Sequence, residues 1–244
     1  MSEEWCLIMD PAMTGEQNMA RDLALHRAVA AGDSPPLLRC YSWSPPALSL
    51  GRFQKAEEVV DREACRRLGV DLVRRPTGGR AVLHHRELTY SVVVREDHAQ
   101  VPAGIIEAYR LFNGCIVQAL DLLNIKAALA PKEAGGGGIA PGSCFDTAAA
   151  YEVRVAGKKV AGSAQLRRDG ALLQHGAILF ELSLDLCRQV LLPLPGTGVS
   201  AYLQQLGREA AGLLDLGYDL SPASLAEALV ESFSRVLAVR FKNE

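Results

Sequence analysis

Three short segments carry residue types that could do chemistry. Arg74-Arg75-Pro76-Thr77-Gly78-Gly79-Arg80-Ala81-Val82-Leu83-His84 places two glycines and several arginines just after a short strand-like run. Glycines let backbone N–H groups face a ligand, and arginine keeps its charge at any working pH. A solvated glycine turn fits the same residues. No Gly-Lys-Ser/Thr follows and no G-x-G-x-x-G occurs, so the segment is neither a Walker loop nor a dinucleotide fingerprint. His84 and His85 are adjacent, so on a strand they face opposite ways and make a poor metal pair. Gly142-Ser143-Cys144-Phe145 sets a cysteine at the end of a loop containing Gly135-Gly136-Gly137-Gly138. A thiol there becomes a nucleophile if a nearby cation or backbone dipole lowers its pKa, and an inert loop thiol is the alternative. Gly157-Lys158-Lys159-Val160-Ala161-Gly162-Ser163-Ala164-Gln165 follows a hairpin turn. Alternation puts Lys159, Ala161 and Ser163 on one face and Lys158 on the other, and the small residues admit a substrate or a second backbone. Gln174-His175-Gly176 falls opposite on the next strand, where a neutral His175 can donate or accept a hydrogen bond.

The elements that must position these groups are legible in outline. Thr14-Gly15-Glu16-Gln17 has capping-box form and opens a helix to about Ala31, closed by Gly32. Strands are expected at Leu37 to Trp43, Ala47 to Gly51, Val70 to Arg74, Arg80 to His84 and Leu88 to Val94, with a helix over 56–68. The clearest helix begins near Pro102, with Ile105, Tyr109, Phe112, Ile116, Leu120 and Leu123 on one stripe. Strand-like runs follow at 125–130, 149–156, 158–167 and 171–182, with hairpin turns at Gly157 and Asp169-Gly170. Ser221-Pro222 caps a last helix expected over about 221–241, with Leu225, Leu229, Phe233 and Leu237 on one face. Helices flanking hairpin-linked strands, without strict alternation, predict an α+β fold with a mixed, mostly antiparallel sheet. One domain is expected over 1–244, with a core at about 18–218 and the last helix as a small appendage.

Composition excludes several classes. With 244 residues, 49% hydrophobic, 22% charged and a net charge of −2, the chain is no disordered tail and no generic binder of nucleic acid or anionic membranes. Lysine is scarce, six against twenty arginines, so each one merits a look. The acidic N-terminus lacks the basic start of a signal peptide, and no run of about 18 apolar residues suggests a membrane span. Six cysteines at positions 6, 40, 65, 115, 144 and 187 form no CxxC pair, which suits neither a disulfide framework nor a zinc site. A reducing cytoplasm is the simplest expectation.

Taken in order, Asn18-Met19-Ala20, the R-R-P-T-G-G-R-A-V-L-H run, E-L-T-Y-S, C-F-x5-Y-E, G-K-K-V-A-G-S-A-Q and L-Q-H-G resemble the lipoate/octanoate branch of the biotin–lipoate protein ligase superfamily. The likeness is closest to its cysteine-dependent octanoyl-[acyl carrier protein]:protein N-octanoyltransferases, and it spans about two thirds of the chain. The resemblance implies a biotin/lipoate ligase-like catalytic domain with a tunnel for an eight-carbon acyl chain. It makes Cys144 the nucleophile and Lys159 the active-site lysine. Arg75, Thr77, Gly78, Gly79, Arg80, His84 and Tyr90 would bind substrate from the first half, and Gly162, Ser163, Ala164, Gln165, His175 and Gly176 from the second. No metal and no cofactor are implied. The partners implied are octanoylated acyl carrier protein as donor and, as acceptors, lipoyl domains of 2-oxoacid dehydrogenase E2 subunits or the glycine-cleavage H protein; the chain would act as a cytoplasmic monomer. Three alternatives remain. One is an ATP-dependent lipoate–protein ligase, another an amidotransferase moving octanoate from H protein to other lipoyl domains, and the last a non-enzymatic acyl-binding module. Two departures stand out: His85 occupies a position where the family usually has an acid, and Thr147 to Ala150 lacks the expected proline-serine.

Overall fold

The computed structural model describes residues 3–130, 151–192 and 198–244. Within them one mixed sheet forms the spine. In spatial order its strands are β11 (Val239–Asn243), β1 (Glu3–Met9), β2 (Leu37–Tyr41), β6 (Glu87–Arg95), β10 (Ala171–Leu179), β9 (Lys158–Arg168), β8 (Val153–Val155) and β7 (Ala127–Leu129). Strand β1 runs parallel to both neighbours, and every other pair is antiparallel. A smaller sheet holds β3 (Ala47–Leu50) between β4 (Asp71–Arg74) and β5 (Val82–His84). This is the mixed, largely antiparallel α+β architecture expected from the sequence.

Helix α1 (Gly15–Ala31) starts on the Thr14 capping box and stops on Gly32 at φ +81°, as the sequence predicts. Its inward face is unusual: Asn18, Asp22 and His26 are fully buried there, beside Met19 and Val29. The 56–68 helix is in fact a 3-10 turn at Ala56–Glu58 followed by α2 (Arg62–Arg67), because Asp61 caps a fresh start by accepting from Ala64 N–H at 2.9 Å. Helix α3 (Ile105–Leu122) begins at Gly104 rather than Pro102, and its first turn projects past the core, leaving Ile105 63% exposed. Phe112, Ile116 and Leu120 carry the buried stripe as expected.

Helices α4 (Leu184–Val190) and α5 (Val199–Glu209) and strand β1 are additional to the elements expected from the sequence. The last helix, α6 (Pro222–Leu237), is shorter than the 221–241 expected and is no appendage. Phe233 stacks on Phe112 of α3 at 6.2 Å, and Leu225, Leu229 and Leu237 join the main core. The chain leaves α6 through Ala238 at φ +52° and turns back as β11. Among the described residues, no helix is long and apolar enough to cross a membrane.

Candidate active site

The sheet centre, the β3–β5 layer and α1 line a narrow cavity of about 30 Å³. One wall is Gly162, Ser163 and Ala164 of β9 with His175, Gly176 and Ala177 of β10. The facing wall is Ser49, Arg75, Val82 and His84, and Met19, Tyr41, Trp43 and Thr89 close the rest. The register explains the pairing, since His175 opposes Ala164, Gly176 opposes Ser163 and Gln174 opposes Gln165. Gly176 is required by space. A Cβ there would stand 2.5 Å from Ser163 Oγ and 2.8 Å from Tyr90 Cε1.

The arginine-glycine loop is tied to itself. Arg75, 4% exposed, donates to the carbonyls of Ser49 at 2.9 Å, Gly78 at 2.8 Å and Arg80 at 2.6 Å. Its charge therefore holds the loop closed while the side chain lines the cavity. Gly78 and Gly79 do not line it. A Cβ at Gly51 would meet Gly79 O at 1.9 Å, so the two loops touch backbone to backbone.

Two histidines face the cavity, each held between a carboxylate and a hydroxyl. His84 Nδ1–H donates to Glu87 Oε1 at 2.7 Å, Nε2 lies 2.8 Å from Ser49 Oγ, and the ring stacks on Trp43 at 4.0 Å. His175 Nδ1–H donates to Asp22 Oδ2 at 3.0 Å, and Nε2 lies 2.7 Å from Thr77 Oγ1. His85 faces away and meets Ser183 Oγ at 2.7 Å. Glu87, three residues on, is the carboxylate that His84 meets.

Asp22 anchors a buried network beneath the cavity. Its two oxygens accept from Arg39 at 2.7 Å, Tyr41 at 2.9 Å, Ser91 at 2.9 Å and His175. Burial alone pushes the carboxyl up, but His175 and Arg39 together hold it below the usual carboxylate value. Burial, aided by Arg75 and His84 and opposed by Asp22, lowers His175 below the ordinary histidine value of 6.5. The neutral ring then donates to Asp22 and accepts from Thr77. Because the folded pKa is depressed, this contribution to stability is complete above about pH 6.5 and is lost as pH falls below it. The melting temperature should therefore drop between pH 7 and pH 5, and His175→Gln should flatten that slope; an unchanged slope in the variant would assign the drop to other groups.

Tyr90 and Gln165 sit behind the wall. Tyr90 O–H lies 2.9 Å from Ser163 Oγ and accepts from Gln174 at 2.8 Å, while Gln165 donates to Gln174 at 2.7 Å. Asn113 of α3 accepts from Ser163 at 3.0 Å. Lys159 lies further along β9, fully buried, with its ammonium on Glu152. Lys158 turns the other way and donates to Gly207 O at 2.6 Å, as the alternation predicts. Cys144 lies outside the described residues. All five described cysteines are free, and burial is the main cause raising each thiol, with Cys40, Cys115 and Cys187 pushed up to about 12.

Sequence reasoning missed Asp22, Ser49, Trp43, Glu87 and Glu152. The available signals were the unbroken polar stripe Asn18, Asp22 and His26 at helical spacing, and Glu87 three residues past His84.

A narrow cavity with a mostly apolar lining and a few polar groups set at fixed points is the arrangement of a small-molecule site. The description "Lipoyl protein ligase A/B catalytic domain" fits residues 14–234 of this sequence. The chain belongs to that family. It is 40% identical to octanoyltransferase LipM of Symbiobacterium thermophilum over 245 residues, covering 98% of this chain and 88% of the relative. It is 43% identical to octanoyltransferase LipM of Kyrpidia tusciae over 246 residues, covering 98% and 89%. Among solved structures it is similar to the bi-partite lipoate protein ligase described with its E2 lipoyl domain from Thermoplasma acidophilum, with a TM-score of 0.81 at 28% identity, covering 99% of this chain and 87% of the other.

Proposed function

We propose that the chain is an octanoyltransferase of protein lipoylation that works through an acyl thioester on Cys144. The observation that carries this reading is the buried lysine: Lys159, fully enclosed, sits three residues before the Gly162–Ala164 cavity wall on a single strand. The near-full-length likeness to relatives named octanoyltransferase supports it. So does the state of the described thiols, all raised, which leaves Cys144 as the nucleophile candidate.

The Cys144 thiolate attacks the carbonyl carbon of octanoyl-acyl carrier protein. The carrier's C–S bond breaks, and its thiolate leaves and takes a proton from water. The acceptor lysine of a lipoyl domain then attacks the new thioester; the amide forms, Cys144 leaves as thiolate and the amine proton passes to solvent. Thioester for thioester is nearly neutral in energy, so the first step needs no ATP. Lys159, as ammonium, favours the thiolate and offsets charge on the tetrahedral intermediates. The cavity holds the acyl chain, with Arg75, His84 and His175 as the polar points of its wall, and no metal or cofactor takes part.

Intact-protein mass spectrometry after mixing with octanoyl-acyl carrier protein, without ATP, tests this directly. Wild type should gain one octanoyl group and Cys144→Ala none. A mass gain in both variants would move the nucleophile elsewhere. An adduct appearing only with octanoylated H protein would make the chain an amidotransferase, and one needing ATP and free acid would make it a ligase.

A further inference from the structure

The C-F-x5-Y-E segment ends on a glutamate that the acyl-transfer chemistry above does not use. Glu152 is 3% exposed and stands just before β8, its own carbonyl fixed by Ala130 N–H at 2.8 Å. One carboxylate oxygen accepts from Lys159 Nζ, and the other has no hydrogen-bond partner among the described residues. The two side chains are 1% and 4% exposed. Between Val153 and Arg154 the β8–β9 register shifts, and an irregularity of this kind re-aims side chains at functional sites. The neighbouring charges are engaged elsewhere. Arg154 donates to Gly157 O at 2.7 Å and pairs with Glu209 at 3.4 Å, and Lys158 reaches α5 through Gly207 O.

On stability grounds this is a poor arrangement. A buried ion pair roughly breaks even against apolar packing, and an unsatisfied buried carboxylate oxygen works against it. Its chemical use is direct. A fixed anion on the lysine aims the ammonium along one direction and opposes loss of its proton in a dry site.

We infer that Glu152 is the positioning residue for Lys159: its carboxylate aims the ammonium and keeps it protonated through both halves of the acyl transfer proposed above, on which the catalytic part of this inference rests. The shared partner is the lysine, so the inference can be read at the lysine itself, apart from turnover.

With only six lysines in the chain, ¹³Cε-labelled lysine gives a resolvable NMR spectrum, and Lys159→Arg identifies the Lys159 signal by its absence. In full-length Glu152→Gln the titration midpoint of that signal should move down by about one pH unit or more. Octanoyl transfer at saturating donor should fall about tenfold or more with KM within about twofold. The alkaline limb of its pH profile should move to lower pH in step, because the working ammonium is lost sooner. Glu152→Asp should keep the wild-type midpoint and recover part of the rate. A folded Glu152→Gln with midpoint and alkaline limb at wild-type values overturns the inference. If Glu152→Gln does not fold, Glu152→Asp decides, and a midpoint moved down despite the retained charge overturns it. A wild-type chain that forms no acyl adduct, yet shows the midpoint shift in Glu152→Gln, overturns the proposed function and leaves the pairing standing.

Discussion

Lys159→Ala is expected to slow octanoyl transfer by about 10²-fold to 10³-fold or more, in the range found when a single group stabilising an oxyanion is removed. Here the loss has two parts. In the mechanism proposed above, the Cys144 thiol would lose a cation that favours its thiolate, and the tetrahedral intermediate would lose a positive neighbour. Alkylation of Cys144 should accordingly follow a pH profile moved to higher pH. The same substitution leaves the Glu152 carboxylate buried without its ammonium, so about 3–5 kcal/mol of stability should disappear as well. The double variant Lys159→Ala/Glu152→Ala separates the two effects. It removes both charges, so melting should return toward wild type while transfer stays low. Transfer that recovers together with melting would reduce Lys159 to a structural role.

Asp22→Ala should be strongly destabilising. Arg39 is fully buried, and although Asp10 Oδ2 at 2.6 Å and Asn18 Oδ1 at 2.7 Å remain, its closest buried anion is gone. Breaking a buried pair from one side costs about 3–5 kcal/mol, because the surviving charge stays enclosed. For a chain of 244 residues that is a fall in melting temperature of roughly 6–20 °C. The loss also reaches the cavity: without Asp22, His175 Nδ1–H has no acceptor and its hold on Thr77 loosens. Thermal unfolding of Asp22→Ala beside Asp22→Asn measures this, the amide keeping part of the hydrogen bonding. A loss under about 1 kcal/mol in Asp22→Ala would show that the network carries little of the stability.

The sequence makes visible what is local. The Thr14 capping box, the Gly32 stop and the Asp169-Gly170 turn each rest on chemistry within four or five residues, and all stand where they are expected. The β9–β10 hairpin likewise brings His175 opposite Ala164 through alternation alone. What stayed hidden depends on distant partners. Asp22 reads as a solvated helix residue until Arg39, Ser91 and His175 arrive from three strands. The end of α6 is concealed for a different reason. Ala238 takes up a left-handed turn without glycine, and Phe241 falls four residues after Leu237, so the strand continues the helical stripe on paper. In the candidate site, Arg75 and His84 meet Gly162–Ala164 and His175–Gly176 at one cavity, whereas the Glu152–Lys159 pair required the β8–β9 register to be seen.

The pairing of β11 on β1 sets the order in which the fold can be finished. Residues 3–7 hydrogen-bond to residues 239–243, nearly the full span of the chain apart. A ribosome makes β1 more than two hundred residues ahead of its outer neighbour. Through that interval β1 can lean on β2 alone, and its other rim stays bare, the kind of surface on which a second nascent copy can dock. Once β11 closes the gap, the new rim carries Arg240 and Lys242, and the charges make it a poor template for any further strand.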